Sequence, residues 1–509
     1  MISRRALLGA GAGLASVTGT LGAVQSAAAR PRRSSVPWDR LDRWLTGDVV
    51  LPDDAAYDQA RRLATAMFDD IRPQAVVLVE NPWDVSLTLR FAQDHGLHTA
   101  VRSGGHNYGG WSTSEGLVVN MTRMNGVHAC GRTARMGSGV QSVDAVERLA
   151  PHGVAVAGGF CPSVSPGGFI SGGGTGWQYR KYGPASDQLV SARVVLADGR
   201  IVTASRHSHP DLYWALRGGG GGNFGVVTEF EVVANPITHV GHYALTWTWD
   251  DAPAAVHAYL RWASRASGDL ACGALLRLPD AREGNPPTVI VTGVHFGGVA
   301  ELERELSELV SAVGAPPATR AVEELSYRRA MMRVFGCEDR TVDACHLTGS
   351  NPEAALPRQA YVKNRGRMFD ANLSHQGVED LLTAFDAERR AGQTRIVSLL
   401  GLGANANQPA TGDTAWVHRD ALYSITCTVS LAEASPPAEE REAAQHWLDG
   451  IFGAIDPHSN GRSYVNFPDT ALTDWASAYY GSNLPRLRDV KRSYDPHGFF
   501  RFPQSVPLP

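Results

Sequence analysis

At 509 residues the chain is too long for one hydrophobic core, so two or more domains are expected. Charged residues make up 19% and hydrophobic residues 43%, a globular balance that excludes intrinsic disorder. A formal charge of −4 leaves no basic face to neutralise nucleic-acid phosphates, and beyond the first thirty residues no run is long and apolar enough to span a bilayer.

Residues 1–29 read as a targeting segment outside the fold: Arg4-Arg5, a weakly apolar run rich in Gly and Ala, then Ala27-Ala28-Ala29. Paired arginines before such a run fit a twin-arginine export signal, and an ordinary secretory signal is the alternative. Residues 31–70 are polar, a surface lead-in with short helices. Ala75–Val79 is a buried strand, Asn81-Pro82 caps and starts a helix ending near Gly96, and Leu97–Val101 is a second strand running into the glycine loop around His106. The pattern recurs: strand 133–136, helix 140–149, and strand 154–157 running into the loop Gly158-Gly-Phe-Cys161. Two βαβ units thus each deliver a glycine loop carrying one reactive side chain. Ser191–Ala197 and Arg200–Ala204 flank Asp198-Gly199, a hairpin signal.

From about 240 the texture changes. Tyr243, Leu245, Trp247 and Trp249 alternate with smaller or polar residues, and further strands are predicted at 275–278, 288–296, 396–404 and 422–431. Helical patterns lie at 253–267, 299–313, 375–391 and 437–453. This predicts an antiparallel sheet covered by helices, with its aromatic face as the wall of a small-molecule site. The domains expected are 30–240 (core 69–236), 241–454, and a segment 455–509 rejoining the first.

Taken singly, the motifs are weak. A glycine loop frees backbone N–H groups to approach an anion but also marks any tight turn, and these loops follow the second strand of each unit, unlike a nicotinamide-binding fold. His207-Ser-His209 invites a metal reading that no other Cys, Asp or Glu spacing supports, so no metal is expected. Of six cysteines, Cys337 and Cys345 are spaced for a local disulfide, and Cys130, Cys272 and Cys427 read as buried free thiols. Tyr108 and Trp177 could line a pocket as easily as the core, and Tyr361 and Lys363 could face a substrate, with solvated surface the preferred reading for those two.

In chain order the blocks are more specific. Arg102-Ser-Gly-Gly-His106, Cys161-Pro-Ser-Val-Ser-Pro-Gly-Gly-Phe-Ile-Ser-Gly-Gly-Gly-Thr-Gly176, Trp177–Gly183 with Asp187, and His209–Glu229 lie in the first half. Tyr464-Val-Asn466-Phe, Tyr480-Gly-Ser-Asn483 and Asp495-Pro-His-Gly-Phe-Phe500 lie at the end, with Asp413–Arg419 a looser match. Together they resemble the berberine-bridge-enzyme-like flavin oxidases of the vanillyl-alcohol-oxidase group. The resemblance implies an α+β fold: a two-lobed FAD-binding domain of the PCMH type plus an antiparallel-sheet substrate domain covered by helices. It implies FAD held twice, by His106 at the flavin 8α carbon and by Cys161 at C6. Arg102, Ser103, Gly104, Gly105, Asn107, Gly172, Gly173, Gly174, Asp187, Gly225, Val226, Val227, Tyr464 and Asn466 are the other cofactor contacts it implies, with Tyr464 also the catalytic base. The pattern is departed from at Asn107, often serine, and at Ser165, where glycine is common.

The function expected is oxidation of a hydroxyl-bearing carbon on a sugar or alcohol of a glycosylated secondary metabolite, with dioxygen reduced to hydrogen peroxide. Carbohydrate oxidation, amine oxidation with ring formation, and a non-catalytic secreted flavin- or glycan-binding role are the alternatives. The expected partners are a small-molecule substrate and O2, with neither nucleic acid nor membrane after leader removal, in a monomer or homodimer.

Overall fold

The computed structural model describes residues 36–509, so the expected leader over 1–29 lies outside the described residues. The first sheet holds β1 (Asp48–Val50), β2 (Ala75–Leu78), β3 (Thr99–Arg102) and β4 (Leu117–Asn120), in the order β1-β2-β4-β3. β2 and β3 both run parallel to β4, and helix Pro82–Asp94 makes the crossover between β2 and β3. That helix starts where the sequence says it should. Asn81 Oδ1 accepts the amides of Trp83 and Asp84 at 2.9 and 3.0 Å, and Pro82 occupies a first-turn position whose missing N–H costs nothing. The lead-in is more than surface. The buried Asp84 carboxylate accepts the amides of Thr46, Gly47 and Glu80, which fixes β1 as an edge strand antiparallel to β2.

The second sheet holds β5 (Val127–Cys130), β6 (Thr133–Gly137), β7 (Leu189–Val195), β8 (Ile201–Ser205) and β9 (Val226–Val233), in the order β5-β6-β9-β7-β8. The Asp198-Gly199 hairpin joins β7 to β8 as expected. The second βαβ unit does not form, because β6 lies in an antiparallel sheet. Residues 154–157 make only one bridge, Ala155 to Asn235, and the Val156 carbonyl accepts the Gln178 side-chain amide instead of a ladder bond.

The third sheet is wholly antiparallel: β10 (His239–Trp247), β11 (Leu270–Leu278), β12 (Thr288–His295), β13 (Thr319–Ser326), β14 (Tyr361–Phe369), β15 (Gln393–Gly401) and β16 (Tyr423–Leu431), ordered β13-β10-β12-β11-β15-β16-β14. Helices Ala252–Arg265, Val299–Val313, His375–Asp386 and Ala438–Ile455 take one face. The expected aromatic wall is overturned here. Tyr243 and Trp247 lie fully buried on the helix side, Tyr243 edge-on to Trp262 and Trp247 donating to the Ala315 carbonyl, so the aromatic face is core, while the opposite face is covered at one end by Trp177, Tyr327 and Met331 and is half-buried along β15 and β16. Apolar burial of such large rings decides which side the helices take.

The two edge strands, β13 and β14, are the two that the sequence pattern does not reveal. β13 is largely exposed. β14 turns Lys363, Arg365 and Arg367 toward the helices, where Arg365 pairs with Asp449 and Asp469 and lies 3.7 Å above the Phe452 ring. Inward charges defeat a hydrophobic-period reading, and they also discourage pairing with another sheet.

The C-terminal segment returns to the first two sheets. Buried Lys491 pairs with Asp495 at 2.6 Å and donates to the carbonyls of Asn223 and Phe500 at 2.7 and 2.6 Å, pinning the last residues beside the Gly218–Gly222 run. Cys337 and Cys345 form the disulfide that their spacing allows. Cys272 and Cys427 are buried as expected, but Cys130 is exposed because β5 is an edge strand. Among the described residues, no helix is long and apolar enough to cross a membrane.

Candidate active site

One cavity of about 640 Å³ takes in both glycine loops. Its wall is formed by the first loop, the second loop, the start of β9, residues 464–467 and residues 500–504. It opens beside His98, Glu115 and Arg501, all exposed, and its inner wall is otherwise uncharged.

β3 delivers the first loop. Asn107 Oδ1 accepts the amides of Gly109 and Trp111 at 2.9 and 3.2 Å, a local turn that sets the neighbouring side chains. The second loop is held by helix Ser142–Leu149, whose first amides, those of Ser142 and Val143, donate to the carbonyls of Val164 and Pro162 at 2.9 and 3.0 Å. The two loops then meet backbone to backbone. A Cβ on Gly104 would stand 2.6 Å from the Ser163 carbonyl oxygen, so only glycine allows the approach. Ser165 fits without strain, its φ of −121° being ordinary extended backbone, so the departure from glycine there costs nothing.

His106 Nε2 lies 2.8 Å from Ser163 Oγ, which ties the imidazole across to the second loop and leaves Nδ1 without a protein partner among the described residues. Burial pulls its pKa down to about 4, so the ring is neutral at physiological pH. Cys161 counts as exposed by surface area yet is enclosed by protein on nearly all sides. Both descriptions hold, because its accessible surface faces the cavity rather than bulk water. Enclosure raises the thiol pKa, and burial likewise raises that of Tyr108 beside it, with neighbouring Cys161 adding to the shift.

Tyr464 lies on the wall with its phenol oxygen surrounded by donors. The Gly174 amide and Asn466 Nδ2 both donate to it at 2.9 Å, and Asn466 Nδ2 also reaches the Phe169 carbonyl at 3.0 Å. Trp416 and Phe467 pack edge-on against the ring at 5.3 and 5.2 Å. Burial pushes the phenol up to about 12, and the bonds from Gly174, Asn466 and Thr175 oppose it. A Cβ on Gly172 would stand 2.1 Å from Asn466 Oδ1, which explains glycine at that position.

Of the residues singled out from sequence, Ser103, Gly104, Gly105, His106, Asn107, Cys161, Gly225, Val226, Val227, Tyr464 and Asn466 line this cavity. Gly172, Gly173 and Gly174 stand behind it, supporting Tyr464 and Asn466. Arg102 turns away, donating to the carbonyls of Ala60, Arg61 and Arg62. Asp187 also lies behind, gripping Arg419 through both carboxylate oxygens at 2.7 and 2.8 Å and so fixing the loop that carries Trp416. Tyr108 lines the wall, whereas Trp177 packs between Phe160 and His242. Tyr361 and Lys363 lie on the helix side of β14, and His209 bonds Tyr494 at 3.1 Å as a loop residue. Sequence reasoning missed Thr113 and the Phe500–Gln504 wall. The only signal for the latter was the Asp495–Phe500 block, whose role depends on the Lys491 clamp.

The cavity fits FAD on its own features. Its volume lies in the range of cofactor sites, its walls are glycine-lined and neutral, and the buried Thr113 Oγ1 on its wall has no protein partner. Hydroxyls and backbone amides of this kind can receive a pyrophosphate without cationic side chains.

Comparison with known proteins points the same way. Residues 73–205 match a family model described as an FAD binding domain, and residues 463–507 match one described as berberine and berberine like. The chain is 33% identical over 515 residues to FAD-linked oxidoreductase pynB of Aspergillus niger, covering 91% of this chain and 90% of that one. It belongs to the berberine-bridge-enzyme-like FAD-linked oxidoreductases. Within that family it is also 28% identical to (R)-6-hydroxynicotine oxidase of Paenarthrobacter nicotinovorans, over 90% of this chain and 96% of the relative. Chitooligosaccharide oxidase of Gibberella zeae is 28% identical over 85% and 87% of the two chains. A solved structure of chitooligosaccharide oxidase superposes with a TM-score of 0.79 at 22% identity, over 93% of this chain and 99% of that chain, which shows the shared fold. The protein is therefore an FAD oxidoreductase, with the α+β architecture expected from its blocks.

Proposed function

We propose that this oxidoreductase is an oxidase acting on a hydroxyl-bearing carbon, in a sugar or alcohol group of a glycosylated secondary metabolite, with dioxygen as final acceptor. The observation that carries the reading is Tyr464: a buried phenol on the same cavity wall as His106 and Cys161, its oxygen receiving N–H donors from Gly174 and Asn466. When bound, the flavin supplies the two-electron acceptor for the substrate carbon and returns those electrons to dioxygen as hydrogen peroxide. The chain supplies the proton chemistry. Tyr464 takes the substrate hydroxyl proton as general base, and the Gly174 and Asn466 donors stabilise the phenolate so formed. Trp416 and Phe467 keep the ring from turning away. Kinship with a chitooligosaccharide oxidase supports a sugar hydroxyl as the group attacked.

The attachment we propose is double, through His106 and Cys161. Its support is that both side chains open on one cavity from loops in mutual contact, and that the His106 ring is neutral with Nδ1 free. Export of the folded protein through a twin-arginine signal over residues 1–29 completes the proposal, supported by Arg4-Arg5 and by a disulfide that requires an oxidising compartment to persist.

Acid precipitation tests the double attachment. His106→Ala and Cys161→Ala should each keep yellow colour in the pellet and the double variant should release it; release by either single variant contradicts two links. For the base, Tyr464→Phe should slow anaerobic flavin reduction by about 10²–10⁴-fold while binding is kept. Because a phenol held near 12 is mostly protonated at neutral pH, reduction should speed up from roughly pH 7 to pH 10 in the parent and stay flat in the variant. A shared pH profile removes Tyr464 from the role. Replacing Arg4 and Arg5 together by lysine should retain the protein in the cytoplasm, and unaltered export contradicts the twin-arginine route.

A further inference from the structure

We infer that Gln178 is the positioning residue for Cys161: its side-chain amide holds the segment 154–157 in place of a sheet ladder, and so sets where the Cys161 sulfur stands against the flavin. This rests on the proposed double attachment and names what makes its second link possible. It also gives a role to the Trp177–Gly183 block, no residue of which lines the cofactor cavity.

The Gln178 side chain is buried, and all of its bonding groups are used. Nε2 donates to the Val156 carbonyl at 2.9 Å and to the Tyr327 hydroxyl at 3.0 Å, and Oε1 accepts from Asn235 Nδ2 at 2.9 Å. Turning the amide over would set Oε1 against the Val156 carbonyl, acceptor against acceptor, so the network fixes its orientation. Asn235 is tied to the same segment through its backbone, which exchanges both bonds with Ala155 at 2.8 Å. Ala155 and Val156 are thus fastened in succession, the first by backbone and the second by a side chain.

The hold passes along the chain to the sulfur. Residues 176–178 run antiparallel to 156–160. Gln178 meets Val156, a Cβ on Gly176 would stand 2.0 Å from the Gly158 carbonyl oxygen, and Trp177 packs edge-on to Phe160 at 6.3 Å. Among the described residues no backbone hydrogen bond joins these two stretches, so the Gln178 amide stands in for a ladder. Packing alone does not fix the segment. Val154, Ala155 and Val156 border a second cavity, of about 260 Å³, together with Val146, Leu149 and Ile237. A wall beside empty space lacks contacts on that side, which leaves its position to its hydrogen bonds. Beyond Cys161 the loop is held separately, by the Ser142 and Val143 amides on the carbonyls of Val164 and Pro162. Cys161 therefore stands between two anchors, Gln178 before it and helix Ser142–Leu149 after it.

Exact placement is what a bond to one ring carbon demands. Closing that bond joins sulfur to C6, with the thiol hydrogen and the C6 hydrogen both leaving as protons. The two electrons released pass through the flavin to dioxygen, which takes up two protons and becomes hydrogen peroxide. A misplacement of about 1 Å costs such a step on the order of 10²-fold. The His106 link has other supports, β3 behind its loop and Ser163 across from it, and neither bonds to Gln178. Loss of the Gln178 amide therefore separates the two links.

The test compares the purified, FAD-loaded parent with Gln178→Met, which keeps the length of the side chain and removes its hydrogen bonds. Mass spectrometry after proteolysis gives the fractions of His106 peptide and of Cys161 peptide that carry flavin. Gln178→Met should cut the Cys161-linked fraction by about tenfold or more and leave the His106-linked fraction within about 10% of the parent's, which also reports a folded cofactor half. Tyr327→Phe removes one partner of the amide but keeps its bond to Val156, and should retain both links. Equal Cys161 linkage in Gln178→Met and the parent overturns the positioning role and leaves the double attachment standing. Loss of the Cys161 link in Tyr327→Phe also overturns it, by tracing the effect to the wider junction. If Gln178→Met loses both links, Gln178→Asn decides by the same two fractions, because its amide stops one methylene short of Val156; loss of both links there too overturns the role. A parent without Cys161 linkage overturns the role and the double attachment together.

Discussion

Everything in the cofactor half depends on one close approach, the contact of the Ser103–Gly110 loop with the Cys161–Ser165 loop. The missing Cβ of Gly104 admits the Ser163 carbonyl, and the Ser163 hydroxyl holds the His106 imidazole. The surrounding elements serve that contact. β3 aims the first loop, the free amides of helix Ser142–Leu149 hold the carbonyls of the second, and the Lys491–Asp495 pair closes the far wall. A buried ion pair of that kind is a costly way to gain stability, but through the Asn223 and Phe500 carbonyls it ties the C-terminal segment to the end of the glycine run.

The parts of this design that were legible in the sequence are those whose local chemistry and tertiary role agree. Asn81-Pro82 begins a helix for reasons contained in two residues, and His106 follows a strand that is buried on both sides. Where long-range partners decide, local reading fails. Val154–Ala157 has the composition of a strand, yet Gln178 takes its carbonyl and Asn235 supplies a single bridge. β14 is hidden by three inward cations, of which Arg365 finds carboxylates 84 and 104 residues away and Arg367 one 89 residues away. Arg102 and Asp187 carry sequence signatures of the cofactor site but act from behind it, one on the carbonyls of residues 60–62 and the other on Arg419. A motif marks a residue that the fold needs near a site, and side-chain direction is a separate question.

The two halves divide their work by chemistry. The cofactor half is glycine-lined and neutral, its reactive groups held in their uncharged forms by burial. In the other half the helices claim the aromatic face of the sheet, and on the opposite face the outward positions of β16 all carry hydroxyls. Tyr464 sits where the halves meet, on a segment that runs along β14 while its phenol oxygen answers to Gly174. Its burial and its donors act in opposite directions on its proton.

The central claim is that two loops meet so that one flavin is held from both. Proteolysis of the denatured, purified protein followed by mass spectrometry of its peptides tests that most directly. The account predicts a single cross-linked species containing the His106 peptide, the Cys161 peptide and one FAD. Recovery of both peptides at their unmodified masses, from protein that was yellow before denaturation, would contradict it.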